Sequence, residues 1–223
     1  GEIGIANDIT DNVHHVVTAQ SVGGARLDGV IVEAGNTAGD TNNDDGGGIY
    51  NRETLTLENV IVRNNSANDD GGGIRNDGAL TVINSTVDAN KANSSSSVSS
   101  GGVGLIYTGG ATTTVVNSTF SRNEALNGGA IRNDGTLNLT NSTLSGNLAL
   151  ESGGGLVNTV NVQPPFTVVG SATATISNST ITNNEAQNTS GQATAVGGGI
   201  ANFGDVTVTN SIIAGNVGDD DIV

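Results

Sequence analysis

The chain has 223 residues, with 22 acidic against 7 basic side chains and a net charge of −15. That balance excludes nucleic acid, which is held by Lys and Arg against phosphate, and docking on an anionic membrane surface. It contains no Cys, Met or Trp and only 2% aromatic residues, which rules out disulfides and thiol chemistry; its core must be an array of many Val, Ile and Leu. Thirty-four glycines with just two prolines, Pro164 and Pro165, point to a repeated backbone and not to a disordered Pro/Gly-rich chain.

The opening stretch carries no signal peptide, basic targeting segment or 18-residue apolar run, so no membrane insertion is expected. Because no Met is present, Gly1 is read as the start of a processed or excised piece, and the absence of Cys fits an extracellular or cell-surface bacterial protein. Residues 1–26 are predicted to form an N-terminal rung or cap. The histidines, His14 and His15, are adjacent; on a strand they face opposite sides and cannot easily share a metal.

From residue 27 to 217 the sequence repeats. A first column holds Asn59, Asn84, Asn117, Asn141, Asn178 and Asn210, each after an apolar strand end. A second follows six residues on: Asn65, Asn90, Asn123, Asn147, Asn184 and Asn216. A third follows each glycine cluster: Asn51, Asn76, Asn133, Asn158 and Asn202. The shortest steps between first-column positions are 24 and 25 residues, enough for three short strands and three turns; longer steps carry inserted loops.

The strands alternate with period two. In Thr54-Leu55-Thr56-Leu57 the leucines point in and the threonines out, and Thr136–Leu139 and Asp205–Val208 repeat this. A second strand places Val62, Val87, Phe120, Leu144, Ile181 and Ile213 inside; a third places Ile49, Ile74, Ile131, Leu156 and Ile200 inside. One rung cannot bury three apolar strips, but stacked rungs can. The predicted fold is all-β: a right-handed parallel β-helix, a single domain of about seven rungs of three short strands, roughly 34 Å long at ~4.8 Å per rung.

The Asn columns are expected to be inward ladders that satisfy turn backbone groups and pair with the Asn above and below. Asn-x-Ser/Thr triplets such as Asn84-Ser85-Thr86 are accordingly read as inward turns, not glycan sites.

Gly128-Gly129-Ala130-Ile131 and Phe120-Ser121-Arg122-Asn123 resemble the GGAI and FxxN motifs of polymorphic outer-membrane protein repeats, within the pectin-lyase-like right-handed β-helices. The GGxI element recurs at Gly47-Gly48-Ile49, Gly72-Gly73-Ile74, Gly154-Gly155-Leu156 and Gly198-Gly199-Ile200. The resemblance implies the fold strongly and function weakly, because such folds host many activities. It implies an adhesin or a part of a large secreted protein.

Insertions fall at two corners. Residues 37–45, 66–70, 92–100 and 186–196 follow the second column, and residues 159–172 follow the third. Asp44, Asp45, Asp69 and Asp70 lie on neighbouring corner loops and form the candidate Ca²⁺ site, calcium being an ion that takes oxygen ligands. Otherwise no cofactor is expected. Arg75 and Arg132 share a rung position, as do Asp77 and Asp134, and are read as surface pairs. Lys91, the one lysine, is placed in a loop, and few aromatics exist to stack sugars, so catalysis is not expected.

The functional expectation is a non-catalytic structural or adhesive solenoid: a head-to-tail filament subunit or a module among neighbouring parts of a larger polypeptide. A polysaccharide-binding or polysaccharide-cleaving β-helix, with a polysaccharide or cell-surface partner, is the alternative. Ice binding through outward threonines (Thr54, Thr56, Thr81, Thr112, Thr114, Thr136, Thr173, Thr175, Thr207) is a third class. Residues 218–223 are predicted to be an acidic tail with no helical or polar cap after the repeats, and residues 218–221 are read as a blunt end or a segment that pairs with another subunit.

Overall fold

A computed structural model of the chain describes residues 15–20, 23–37, 45–93, 111–163, 167–187, 189 and 197–223. They form a parallel β-helix. One face is a seven-stranded sheet: Ala25–Asp28, Thr54–Glu58, Ala79–Ile83, Thr112–Val116, Thr136–Thr140, Thr173–Ser177 and Asp205–Thr209. A second face has seven strands: Ile31–Glu33, Ile61–Arg63, Thr86–Asp88, Thr119–Ser121, Thr143–Ser145, Thr180–Thr182 and Ile212–Ala214. These two faces count seven rungs.

The third face is described in two parts. Val17–Ala19, Ile49–Asn51 and Ile74–Asn76 make the first; Ile131–Asn133, Leu156–Asn158, Gly197–Asn202 and Asp220–Ile222 make the second. Between second and third faces the rung holds a short fourth strand, an addition to the expected three-strand rung. This fourth face runs through Ser66–Ala67, Lys91–Ala92, Glu124–Asn127, Leu148–Ser152 and Glu185–Ala186. Lys91 therefore lies on a strand, not in a loop, and its Nζ reaches Glu124 at 2.7 Å one rung on. Ser66 and Ala67, assigned to an insertion from the sequence, are likewise strand.

Register follows the repeat column by column. Leu57 pairs with Val82, then Val115, Leu139, Ile176 and Val208 along the first face. Val32, Val62, Val87, Phe120, Leu144, Ile181 and Ile213 align on the second. Inward positions between the terminal rungs are fully buried, including Leu57, Val82, Phe120, Ile131 and Leu156. Each such side chain contributes roughly 1.5–3 kcal/mol by leaving water. At the third-to-first corner the 159–172 insertion forms an antiparallel hairpin, Val160–Gln163 against Thr167–Ser171; Pro164, Pro165 and Phe166 lie outside the described residues.

Glycine clusters serve two needs. Gly71 takes φ 66° to start the third-face strand, and a Cβ on Gly72 would meet the Lys91 carbonyl oxygen at 2.2 Å. No larger residue fits the second position without moving backbone.

The tail is not detached. Asp220–Ile222 pairs in parallel with Gly197–Asn202 and begins another coil on the third face. Among the described residues no helix is long and apolar enough to cross a membrane.

Candidate functional site

The Asn columns divide into two kinds. In the second, Asn65, Asn90, Asn123, Asn147 and Asn184 are buried. Each Nδ2 donates to the next Oδ1, as from Asn90 to Asn123 and from Asn123 to Asn147, both 3.0 Å. Each also donates to a carbonyl of the preceding rung, as Asn123 does to Val87 at 3.0 Å. The backbone N–H of each Asn donates to the same Oδ1, so the buried amides are satisfied within a ladder. Asn216 ends the series by donating from N and Nδ2 to Asp221 Oδ1, both 2.9 Å. A carboxylate only accepts, so Asp221 stands in for the next Asn and closes the chain of donors. Asp221 is thus a polar cap on this ladder that the sequence reading did not expect, in line with its blunt-end alternative for residues 218–221.

The third column behaves similarly. Asn51 donates to Asn76 at 2.6 Å, and Asn133 to Asn158 at 2.7 Å; Asn158 donates to Asn202 at 2.9 Å. Asn76 donates instead to Thr113 Oγ1 at 3.1 Å.

The first column is different and corrects the inward reading. Asn59, Asn84, Asn117, Asn141, Asn178 and Asn210 are exposed, each with φ between 48° and 55°. They make the left-handed bend themselves, which Asn tolerates best after Gly. In the second column the residue before the Asn bends instead (Asn64, Ala89, Arg122, Gly146, Asn183, Gly215), and the Asn turns inward. Asn84, Asn117, Asn141 and Asn178 of the Asn-Ser-Thr triplets thus face solvent.

Behind this exposed column lies a serine ladder that the sequence reading missed. Ser85, Ser118, Ser142 and Ser179 are buried; each Oγ donates to the carbonyl two residues back and accepts an N–H from the preceding rung. Ser85 Oγ, for example, donates to Ile83 O at 2.7 Å and accepts from Val60 N at 3.0 Å. The recurring Asn-Ser-Thr triplet is its signal: bend, buried hydroxyl, outward strand residue.

The acidic corner gathers Asp45, Asp69 and Asp70, one carboxylate oxygen of each within 4.8 Å of the others. Asp44, the fourth residue expected there, lies outside the described residues. Asp45 precedes strand Ile49–Asn51, and Asp69 and Asp70 precede Ile74–Asn76 on the next rung, so parallel register brings them together. Asp70 N donates to Asp45 Oδ1 at 2.9 Å. Arg75 NH1 reaches Asp70 Oδ2 at 2.9 Å and Asp45 Oδ2 at 3.0 Å, while its Nε donates to Asp77 Oδ1 at 2.7 Å.

Asp70 is only 6% exposed, and its Oδ1 is buried without a hydrogen-bond partner among the described residues. Burial pushes its carboxyl up to about 8; Arg75 pulls the other way, and Asp45 and Asp69 add to the rise. Burial opposes the Arg75 charge, but Asp45, Asp77 and Asp70 outweigh it and raise its pKa.

Arg132 makes a matching pair with Asp134 at 3.1 Å. Arg75 and Arg132 are largely buried, at 15% and 16% exposure, so neither belongs to a plain surface pair. His15 Nδ1 lies 3.1 Å from Gly46 O, and its ring meets Tyr50 edge-on at 5.3 Å; His14 lies outside the described residues.

The threonines align as columns. Thr56, Thr81, Thr114, Asn138, Thr175 and Thr207 are consecutive register partners, and Thr54, Ala79, Thr112, Thr136, Thr173 and Asp205 form the adjoining row.

No protein-family model, curated protein or solved structure matches this chain.

Proposed function

We propose that the chain is a non-catalytic structural or adhesive solenoid of the extracellular space or cell surface, whose end rungs stack on further rungs. Those rungs belong to a second copy or to neighbouring polypeptide. The observation that supports this is the last coil. Val208 and Ile222 are 40% and 47% exposed, although their register partners one rung earlier, Ile176 and Ile200, are fully buried. At the other end Val30 is 40% exposed where its counterpart Val60 is buried. Core-type side chains on open strand edges fit another coil of the same kind, and contacts of that head-to-tail type extend into fibres when they do not close. The GGAI and FxxN resemblance is in keeping with a surface or secreted role.

The test is sedimentation and negative-stain microscopy of the purified chain across a concentration series. Rods that lengthen with concentration are expected, and a Val208→Lys/Ile222→Lys variant should be monomeric. Monomers at every concentration overturn self-stacking.

The registered threonine columns favour a second reading, in which the first face orders water against a crystal lattice. Thermal hysteresis that vanishes in Thr114→Lys would establish it, and no hysteresis would remove it.

A further inference from the structure

We propose that Asp45, Asp69 and Asp70 bind one hard divalent cation, of which calcium fits best. Oxygen ligands sit about 2.3–2.6 Å from a calcium ion and so stand at most roughly 5 Å apart across it. The three carboxylate oxygens, mutually within 4.8 Å, match that span. Their convergence follows from strand register, since the two loops belong to adjacent coils whose third-face strands pair residue for residue.

The independent observation is Asp70 Oδ1. It belongs to one of the three clustered carboxylates, is buried and has no hydrogen-bond partner among the described residues, although Oδ2 of the same carboxylate is held by Arg75. Buried carboxylate oxygens are ordinarily satisfied, because the loss of water otherwise goes uncompensated. Among the described residues no donor meets this oxygen, and a cation would.

Charge agrees. Even with Asp70 uncharged, Asp45, Asp69 and Asp77 outnumber the guanidinium of Arg75, an acidic excess that a divalent ion offsets. Arg75 holds the Oδ2 atoms of Asp45 and Asp70 in place. Three side chains supply fewer oxygens than calcium takes, so water would complete the shell. The site would clamp two successive coils where both enter the third face, so occupancy should stabilise the fold by mass action.

Calorimetric titration of the whole chelator-treated chain with Ca²⁺ and with Mg²⁺, paired with melting curves, tests this. One ion per chain is expected, with a higher Tm in Ca²⁺. Asp69→Asn and Asp70→Asn should each weaken binding roughly tenfold or more, because affinity follows ligand charge count. Asp219→Asn/Asp220→Asn, which thins acidic charge at the far end, should leave affinity unchanged. Magnesium binding with the same sensitivity to Asp69→Asn also supports the site. If the Asp70 variant misfolds, Asp69→Asn decides alone, since Asp69 lies outside the strands and is half-buried. No binding by the unaltered chain, or unchanged affinity in Asp69→Asn, overturns the proposal.

Discussion

Arg75 and Arg132 occupy the same place in the coil two rungs apart, on segments that differ little. Asp70-Gly71-Gly72-Gly73-Ile74-Arg75-Asn76-Asp77 corresponds to Asn127-Gly128-Gly129-Ala130-Ile131-Arg132-Asn133-Asp134. The backbones agree: Gly71 and Gly128 have φ of 66° and 64°, and Ile74 and Ile131 are both fully buried. The arginines each bind the aspartate two residues on. The corners part at the first position. Asn127 donates to Glu151 at 3.3 Å, whereas Asp70 shares its corner with the carboxylates of Asp45 and Asp69 and carries a buried oxygen with no hydrogen-bond partner among the described residues. Folding this corner therefore does not require the aspartate, because a neutral amide does the same structural work at the second copy. The surplus carboxylates of the Arg75 corner are an addition to the fold.

The shared part of the two corners should give the largest effects. Ile131→Asp and Ile74→Asp each place a charge in the dry core. Both should cost upwards of about 4 kcal/mol and abolish cooperative unfolding of the native chain, as read by circular dichroism and urea titration. A mild loss at either site would remove the inside–outside assignment there.

Next in size is the arginine itself. Arg75→Ala leaves Asp45 and Asp70 without their common partner and should cost about 2–3 kcal/mol in chelator; Arg132→Ala should cost about half of that. Equal losses would show that the extra carboxylates do not depend on Arg75.

Asp70 should also make the corners differ in pH response. Its folded pKa of about 8 lies above its unfolded value of 3.8, so the folded chain holds the extra proton between them. Its contribution is greatest below the unfolded pKa and is lost as pH rises through the folded one. In chelator, stability should fall from about pH 4 to pH 8, and Asp70→Asn should flatten that slope. Asp88 acts in the opposite sense. The Arg122 hydrogen bond lowers its pKa, so its smaller contribution is kept above its unfolded pKa of 3.8 and lost in acid.

The smallest expected effect is Asp69→Asn in chelator, within about 0.5 kcal/mol of the unaltered chain, because Asp69 is half-buried and lies outside the strands. A large loss there would make Asp69 structural.

The coil was legible because alternation and column spacing are carried by side chains whose faces differ sharply in polarity. The direction of each Asn was not. A left-handed bend at Asn117 and one at Arg122, just before Asn123, give the same residue type at the same kind of corner, yet one amide faces solvent and the other the core. The serine after every outward Asn but Asn59, as in Asn117-Ser118, separates the two cases, since its hydroxyl takes the buried place. The acidic corner was visible as two loops one rung apart. Arg75's hold on it was not, because an Arg two residues before an Asp reads equally well as a solvent-exposed pair. The carboxylate cap at Asp221 was hidden for a related reason: a run of aspartates looks like a solvated tail until its register on Gly197–Asn202 is known.

Asn117→Ala and Asn123→Ala sit six residues apart in one rung and change the same side chain, so their urea-unfolding midpoints test the stacked-ladder account most directly. Asn123→Ala should lose roughly 2–4 kcal/mol by orphaning the buried backbone N–H and side-chain amide of Asn90 and removing the donor to the Val87 carbonyl. Asn117→Ala should lose only about 1 kcal/mol, the strain of alanine in a left-handed bend. Equal losses, or a greater loss at Asn117, would contradict it.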